Sequence, residues 1–278
     1  MSGSTATGLD GGGAAFCEVE AAGMLIVSKI AIGFLVGTLI GMTGVGGGVI
    51  LLPLLIFVLR VPPIIAVGSD ALFNFVTKIG STWVHFRRGT VRKVIVLALA
   101  CGSVPGSIMG VGLLKHLRTV YGSGVNNFIT TAVGILLIVV PTLLLFQTKI
   151  EEAVSHHPPT MKSFFGISVI GLIAGFLVGM TSVGSGSIIM MLLLLFYSFH
   201  PKQMVGTDIA HAVLLTGVTS LLHFSLGNVN LPLVASLVIG SIPGGIVGSH
   251  LSTRMPVPWL RRILCTVLLA TGARMLLA

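Results

Sequence analysis

Apolar residues fill this chain in long blocks, and the interruptions between blocks are short. In the first half the blocks are Met24–Met42, Val49–Leu59, Ile64–Phe86, Val94–Leu114 and Asn127–Phe146. In the second they are Phe164–Met180, Ile188–Phe199, Met204–Leu226, Leu231–Leu251 and Trp259–Leu277. A full membrane crossing takes roughly 20 residues of helix, and most blocks approach that length. Val49–Leu59 and Ile188–Phe199 fall short. They predict half-helices, either re-entrant or one arm of a hairpin with the block before. Each follows a glycine cluster, Gly41-Met42-Thr43-Gly44-Val45-Gly46-Gly47-Gly48 in the first half and Gly179-Met180-Thr181-Ser182-Val183-Gly184-Ser185-Gly186 in the second. Glycine has no Cβ and leaves the helical region cheaply, so each cluster predicts a broken helix. Irregular backbone at membrane depth persists only where protein buries it or a wet cavity meets it, because lipid offers N–H and C=O groups no partner. Two such breaks at matching places in two halves point to a transporter's binding site.

Sliding the chain against itself by 138 residues aligns Gly33–Gly110 with Gly171–Gly248 without a gap, and 28 of the 78 pairs are identical. The identities include Gly33/Gly171, Gly37/Gly175, Gly41/Gly179, Pro63/Pro201, Gly68/Gly206, Asp70/Asp208, His85/His223 and Pro105/Pro243. Self-similarity of this kind marks an internal duplication. Loop charge indicates how the halves are related. Arg87, Arg88, Arg92 and Lys93 crowd the loop after the third block of the first half, whereas its counterpart, Ser225–Asn230, has no basic residue. The positive-inside rule accommodates both loops if the halves are inverted, with 87–93 cytoplasmic and 225–230 outside. Five segments per half then place both termini outside. The expected organisation is an all-α polytopic membrane protein of two homologous inverted repeats, with the Gly-broken half-helices at its core. It comprises a disordered tail 1–23, a first transmembrane repeat 24–146, a polar linker 147–162 and a second repeat 163–278.

Composition narrows the class. Hydrophobic residues make up 54% of the chain and charged residues 8%, against about 25% charged in soluble domains, which excludes a soluble fold. The formal net charge of +9 resides in short loops, where it sets topology and meets anionic lipid headgroups; no nucleic-acid partner is expected. Residues 1–23 carry only acidic charges, Asp10, Glu18 and Glu20, and lack the basic start of a signal peptide. Cys17, Cys101 and Cys265 show no metal-binding spacing, and neither a metal nor a cofactor is expected. Gly41–Gly48 lacks the Lys-Ser/Thr ending of a nucleotide-binding phosphate loop.

The third block of each half carries polar residues at helical spacing, Asp70, Asn74, Lys78, Ser81 and His85 in the first and Asp208, His211, Thr216, Thr219 and His223 in the second. Ionisable groups at membrane depth are costly and face an interior or a wet path. Asp70 and Asp208 have two readings, as first-turn acids that support a helix N-terminus or as coupling groups that carry protons together with His211. His211 is alternatively a satisfied buried imidazole. His85 and His223, near block ends, read as interfacial. Lys78 either snorkels or faces the cavity as a charge partner for the cargo, and the second reading is preferred. Gly33, Gly37 and Gly41, four residues apart, suit close helix packing; three adjacent glycines exceed that need. A short helix that starts near Gly48 or Gly186 presents free N–H groups, and such starts attract anions. The candidate substrate site is therefore Thr43, Gly44, Val45, Gly46, Gly47 and Gly48 with Thr181, Ser182, Val183, Gly184, Ser185 and Gly186, joined by Lys78. Thr43 and Thr181 are expected to add hydroxyl donors, and Asp70, Asp208 and His211 are the candidate coupling residues.

At these residues the chain resembles the TauE/SafE sulfite-exporter family. The resemblance rests on the Gly-x-x-x-Gly-Met-Thr-Gly-Val-Gly-Gly-Gly run ending in Leu52-Pro53, on Pro63 with Ala66-Val67-Gly68-Ser69, on His85-Phe86 with Gly89 and Val91, and on Pro105-Gly106 with Gly110. It covers residues 24 to 278 and implies a permease for sulfite, sulfonates and related organosulfur anions, with Thr43–Gly48 and Thr181–Gly186 as the substrate motifs. The chain departs from the family pattern at Ser69-Asp70 and Thr207-Asp208, where Thr-Ser is common, and at Met191, opposite Pro53. The site motifs hold no cysteine, which argues against the thiol chemistry of some thiosulfate carriers. The expectation is a secondary transporter in the cell membrane, an exporter of small sulfur-containing anions, with protons as the candidate coupling ion. The alternatives are an anion channel or a permease for carboxylates or other organic anions. An intramembrane enzyme finds no nucleophile–base pair. The expected partners are a small anionic substrate and the lipid bilayer, and association into a homo-oligomer is left open.

Overall fold

The computed structural model describes residues 10–43, 47–153, 163–196, 201–252 and 257–277, and their regular structure is entirely helical. Helix α1 (Asp10–Thr43) stops at the first glycine run, and α2 (Gly48–Pro53) starts inside it with Gly47 as its N-cap. Pro53 lacks an N–H to donate, and the helix widens into a π-helical stretch over Leu54–Val58. Then come α3 (Pro63–Arg87), α4 (Lys93–Tyr121) and α5 (Val125–Ala153). The second half repeats the series as α6 (Ser163–Thr181), α7 (Ser187–Phe196), α8 (Pro201–Ser225), α9 (Leu231–Ser252) and α10 (Val257–Leu277). The five expected segments per half are thus present, each with a short second helix. Three boundaries differ. Helix α4 runs on to Tyr121, past the end of its block at Leu114. Helix α1 begins at Asp10, so it runs back through much of the stretch expected as a tail, and α5 continues to Ala153, inside the polar linker. Pro158 and Pro159 of that linker lie outside the described residues.

By length and composition, Lys93–Leu143, Phe164–Thr181, Gln203–Ser225 and Leu231–Gly248 can cross a membrane, while Ile26–Met42, Gly48–Val58 and Leu264–Leu277 are shorter apolar helices. Phe165, Leu221, Ile239 and Ile246 stand exposed on helix surfaces. Large apolar side chains on the outside of an apolar helix bundle suit lipid as the surrounding medium.

Helices pair across the halves. The most extensive contacts join α1 to α9 and α4 to α6, and α3 packs on α8 and α5 on α10. The 138-residue register turns α1 into α6 and α9 into α4, so the first two pairs are one interface made twice. Small residues build it. Gly33 and Gly37 lie on the backbone of Leu237 and Ser241, and Gly171 and Gly175 on that of Leu99 and Ser103. A Cβ at any of them would run into a facing carbonyl, which is the close approach that small residues permit between membrane helices. The apolar core repeats in the same register, with Val36, Leu51, Leu55, Ala66 and Leu237 in one cluster and Ala174, Ile189, Leu193, Met204 and Leu99 in another.

The pairs differ in direction. Residue numbers rise together along α1 and α9, but α3 and α8 run antiparallel. Gly68 meets Asn228, Gly217 meets the Phe75 ring, and Thr82 Oγ1 donates to the Ile209 carbonyl at 3.4 Å. Helices α5 and α10 are also antiparallel, with Gly134 beside Met275 and Gly272 beside Ile138. At one end of the α3–α8 pair, the Arg92 N–H donates to Thr207 Oγ1 at 3.0 Å; at the other, the Asn230 N–H donates to Ser69 Oγ at 3.0 Å. These two bonds are counterparts in the repeat. The basic loop 87–93 and the neutral loop 225–230 therefore sit at opposite ends of the pair. At the basic end, the Arg87 guanidinium lies 5.0 Å from the Trp83 ring centroid, a pairing suited to a membrane–water boundary.

Candidate functional site

Helices α3 and α8 each carry one aspartate well past their first turn, since α3 starts at Pro63 and α8 at Pro201 and neither first turn holds an acid. The capping reading of Asp70 and Asp208 is therefore replaced by another. Each carboxylate faces a glycine run. Asp70 is fully buried, and its Oδ2 accepts from Ser182 Oγ at 2.7 Å and from Asn74 Nδ2 at 3.0 Å. Asn74 Nδ2 also reaches the Asp70 carbonyl at 2.9 Å. The bare start of α2 lies against this group. A Cβ on Gly48 would stand 2.8 Å from Asp70 Oδ2 and 2.7 Å from the Ser182 carbonyl oxygen, and one on Gly47 would stand 2.8 Å from Asn74 Oδ1.

The second glycine run reaches Asp70 through its own backbone shape. Ser182 has φ 58° and Gly184 φ 89°, both left-handed. A serine in that region is sparsely populated and costly, and is held there by its surroundings. Here the turn carries the Ser182 hydroxyl across to α3. The counterpart arm is chemically different. A Cβ on Gly186 would lie 3.0 Å from Asp208 Oδ2 and 4.0 Å from Lys78 Nζ. Half-buried Lys78 donates to Ser185 Oγ at 3.1 Å, and its charge interacts first with Asp208 and then with Asp70. In the sequence Lys78 is two turns from Asp70 on one face; in the structure Asp208 of the other half meets it beside Gly186. The starts of α2 and α7, whose partial positive charge would favour an anion, are thus already faced by the chain's own carboxylates. As open anion sites they are a poorer fit than the sequence suggested.

The remaining candidates divide. His211 is fully buried with Nε2 2.7 Å from Ser103 Oγ, and Thr219 Oγ1 is 2.8 Å from Ser107 Oγ, so α8 and α4 share a polar seam. Ser103 and Ser107 were not among the sequence candidates. Their signal was present in two serines, four apart, beside the Gly102-Gly106-Gly110 stripe of an apolar helix. His223 is not interfacial: it is fully buried, and its Nε2 lies 3.0 Å from the Gly179 carbonyl oxygen. His85 is partly buried, with Nδ1 2.9 Å from Thr90 Oγ1 near the end of α3, and Ser81 is exposed. Thr181 Oγ1 donates to its own helix at the Leu177 carbonyl, 2.7 Å away, and accepts from the Val183 N–H at 3.3 Å. Its proton is committed, and Ser182 is the residue that reaches across instead. Val183 is a buried apolar contact. Gly44, Val45, Gly46 and the Thr43 side chain lie outside the described residues. No group of three metal-ligating His, Cys, Asp or Glu side chains occurs among the described residues. Away from the centre, at the neutral-loop end, a cavity of about 720 Å³ is lined in part by Lys29, Arg60 and Asn230.

The sequence profile described as sulfite exporter TauE/SafE matches residues 29–275. The chain belongs to the TauE/SafE family. A probable membrane transporter protein, YjnA of Bacillus subtilis (strain 168), is 37% identical over 255 residues, covering 90% of this chain and 99% of the relative. YunE of the same organism, also a probable membrane transporter protein, is 26% identical, covering 91% and 98%. Probable membrane transporter protein MJ0441 of Methanocaldococcus jannaschii is 25% identical, covering 91% and 96%. No solved structure matches. This TauE/SafE protein is thus a multi-pass membrane transporter of that family's type.

Proposed function

We propose that this TauE/SafE protein is a secondary transporter of the cell membrane that moves small sulfur-containing anions such as sulfite or sulfonates, in the export direction that the family description suggests. The observation that carries this reading is Lys78, an ammonium placed beside the second glycine run, 3.1 Å from Ser185 Oγ and near Asp208. An ammonium in a water-poor interior is sustained by counter-charges, and a bound anion can exchange with them. The test is a binding screen of the purified protein against sulfite, taurine-like sulfonates, sulfoacetate and simple carboxylates, followed by counterflow in proteoliposomes. Saturable binding of a sulfur oxyanion with accelerated exchange is expected. Binding of carboxylates alone would reassign the cargo, and flux without counterflow would make the protein a channel.

The two halves are read as inverted across the membrane. Supporting this, repeat-related α3 and α8 run antiparallel, and the basic and neutral loops lie at opposite ends of the pair. In a variant stripped of its native cysteines, Leu231→Cys, exposed at the start of α9, is expected to react with an impermeant thiol reagent in intact cells. Arg88→Cys is expected to react only after permeabilisation. Equal labelling of the two positions contradicts the inversion.

A further inference from the structure

At the neutral-loop end, α1, the turn before α3 and the start of α9 border the cavity of about 720 Å³. Pockets of roughly 300–1,000 Å³ suit ligands with a sizeable apolar body. A bare oxyanion such as sulfite has no carbon surface to set against Leu59, Ile65 and Phe224 in the wall. Two cations, Lys29 and Arg60, line the cavity, and no acid is among its described lining residues. Nearby, Arg118 donates to Asn228 Oδ1 at 2.8 Å, and Arg274 lies 5.2 Å from the Phe57 ring centroid. Lys29 and Arg60 have no hydrogen bond or ion pair among the described residues. Like charges around one cavity repel, and a shared anion relieves both.

The fold does not require these two charges. The 138-residue register sets Ile167 opposite Lys29 and Ser198 opposite Arg60, and the second half builds the same series of helices without them. Arg60 also holds a left-handed backbone, φ 51°, which is costly for a residue with a Cβ. Hydrogen bonds fix the turn around it, from the Leu59 N–H to the Leu54 carbonyl at 3.1 Å and from the Val61 N–H to the Leu55 carbonyl at 2.9 Å. Glycine or asparagine would adopt that conformation more easily, so the outlier points to a use for the guanidinium. Asn230 adds a neutral donor. Its Oδ1 accepts from the Leu233 N–H at 3.1 Å at the start of α9, which leaves Nδ2 to donate.

We propose that this cavity binds the headgroup of an anionic phospholipid, with Lys29 and Arg60 on the phosphate oxygens, Asn230 Nδ2 on the rest of the headgroup and an acyl chain along α9. Depth and surface both fit that ligand. Lys29 stands near the start of the apolar stretch Ile26–Met42, where a helix passes from headgroups into hydrocarbon. Leu231, at the cavity, is exposed, and exposed Ile239, Ile242 and Ile246 continue its face of α9 at helical spacing. Basic pockets between membrane helices take anionic headgroups. A zwitterionic headgroup would bring its own ammonium up to Lys29 or Arg60. The site is independent of the cargo's identity.

The test uses the full-length protein, delipidated in an uncharged detergent. Its melting temperature is followed against added phosphatidylglycerol, phosphatidylcholine with the same acyl chains, and soluble glycerol phosphate, while native mass spectrometry counts retained lipid. A saturable rise with phosphatidylglycerol and a retained lipid are expected, with little response to the other two. The double variant Lys29→Gln/Arg60→Asn is expected to bind phosphatidylglycerol at least about tenfold more weakly, the factor that a single hydrogen bond to a charged group carries. Arg60→Asn alone suits the left-handed turn and is expected to shift the titration the same way, which keeps the site testable if the double variant does not fold. Lys115→Gln removes an exposed cation outside the cavity and should respond like the wild type. Equal stabilisation by phosphatidylcholine overturns the proposal. So does a folded double variant with the wild-type response, or a Lys115→Gln protein that loses as much. Glycerol phosphate that binds as tightly as phosphatidylglycerol overturns the lipid assignment and gives the site to a soluble oxyanion.

Discussion

Lys78→Met is expected to weaken sulfite binding by about 1.5–3 kcal/mol, the range of a hydrogen bond to a charged group, in a protein that still inserts and folds. Methionine keeps the length and the apolar stem and removes the ammonium. The loss has two sources that must be separated. One is the direct attraction between Lys78 and the bound anion. The other is indirect, because Asp208 is buried at the same place and Lys78 is its principal counter-charge. Breaking a buried pair by removing one partner strands the other and is strongly destabilising. The double variant Lys78→Met/Asp208→Asn removes both charges and restores balance without restoring a cation. Calorimetry on the three proteins decides between the two sources. If the double variant recovers wild-type affinity, Lys78 serves only to neutralise Asp208. If it folds well and still binds weakly, the ammonium holds the anion.

The sequence made the helices legible because lipid enforces simple rules. Apolar block lengths gave the positions of α3, α6, α8, α9 and α10 to within a few residues, and the glycine clusters marked where α1 and α6 stop. The 138-residue register made Asp70 and Asp208 counterparts before any contact was known. Crossings between the halves were not legible, since a helical stripe orders residues along one helix and says nothing of what comes to meet it. The Ser182 bond to Asp70 depends on a left-handed serine in the other half, and the Lys78–Asp208 proximity depends on the antiparallel packing of α3 and α8. Position in a block also misled. His223 lies near the end of α8, where sequence reads it as interfacial, yet α6 covers it and its carbonyl partner is Gly179. The glycines had two uses in one run of sequence, and composition could not divide them. Gly33 and Gly37 serve helix packing, while Gly47 and Gly48 keep side chains out of the polar centre.

That division sets up the last prediction, a test of sign at Gly48. Glycine near the start of a helix is a weak helix former, and Gly→Ala in a helix gains roughly 0.5–1 kcal/mol from backbone entropy alone. If Gly48 were merely a poor helix residue, Gly48→Ala would stabilise the protein and leave binding unchanged. The surroundings argue the reverse. The new methyl would stand 2.7 Å from the Ser182 carbonyl oxygen, 2.8 Å from Asp70 Oδ2 and 3.4 Å from Asn74 Nδ2. None of these can yield cheaply, because the first is backbone and the other two are tied together by the 2.7 and 3.0 Å hydrogen bonds at Asp70. Overpacking of a close-fitted interior costs about 1–3 kcal/mol, which exceeds the propensity gain. Gly48→Ala is therefore expected to lower thermal stability and weaken sulfite binding, and Gly48→Leu to abolish binding. Gly112→Leu is the matched control, since a Cβ at exposed Gly112, inside α4, meets nothing within 4 Å; it should melt no lower than the wild type and bind like it. A Gly48→Ala protein that melts higher than wild type and binds sulfite with unchanged affinity would show that the close approach of α2 to Asp70 plays no part in the site.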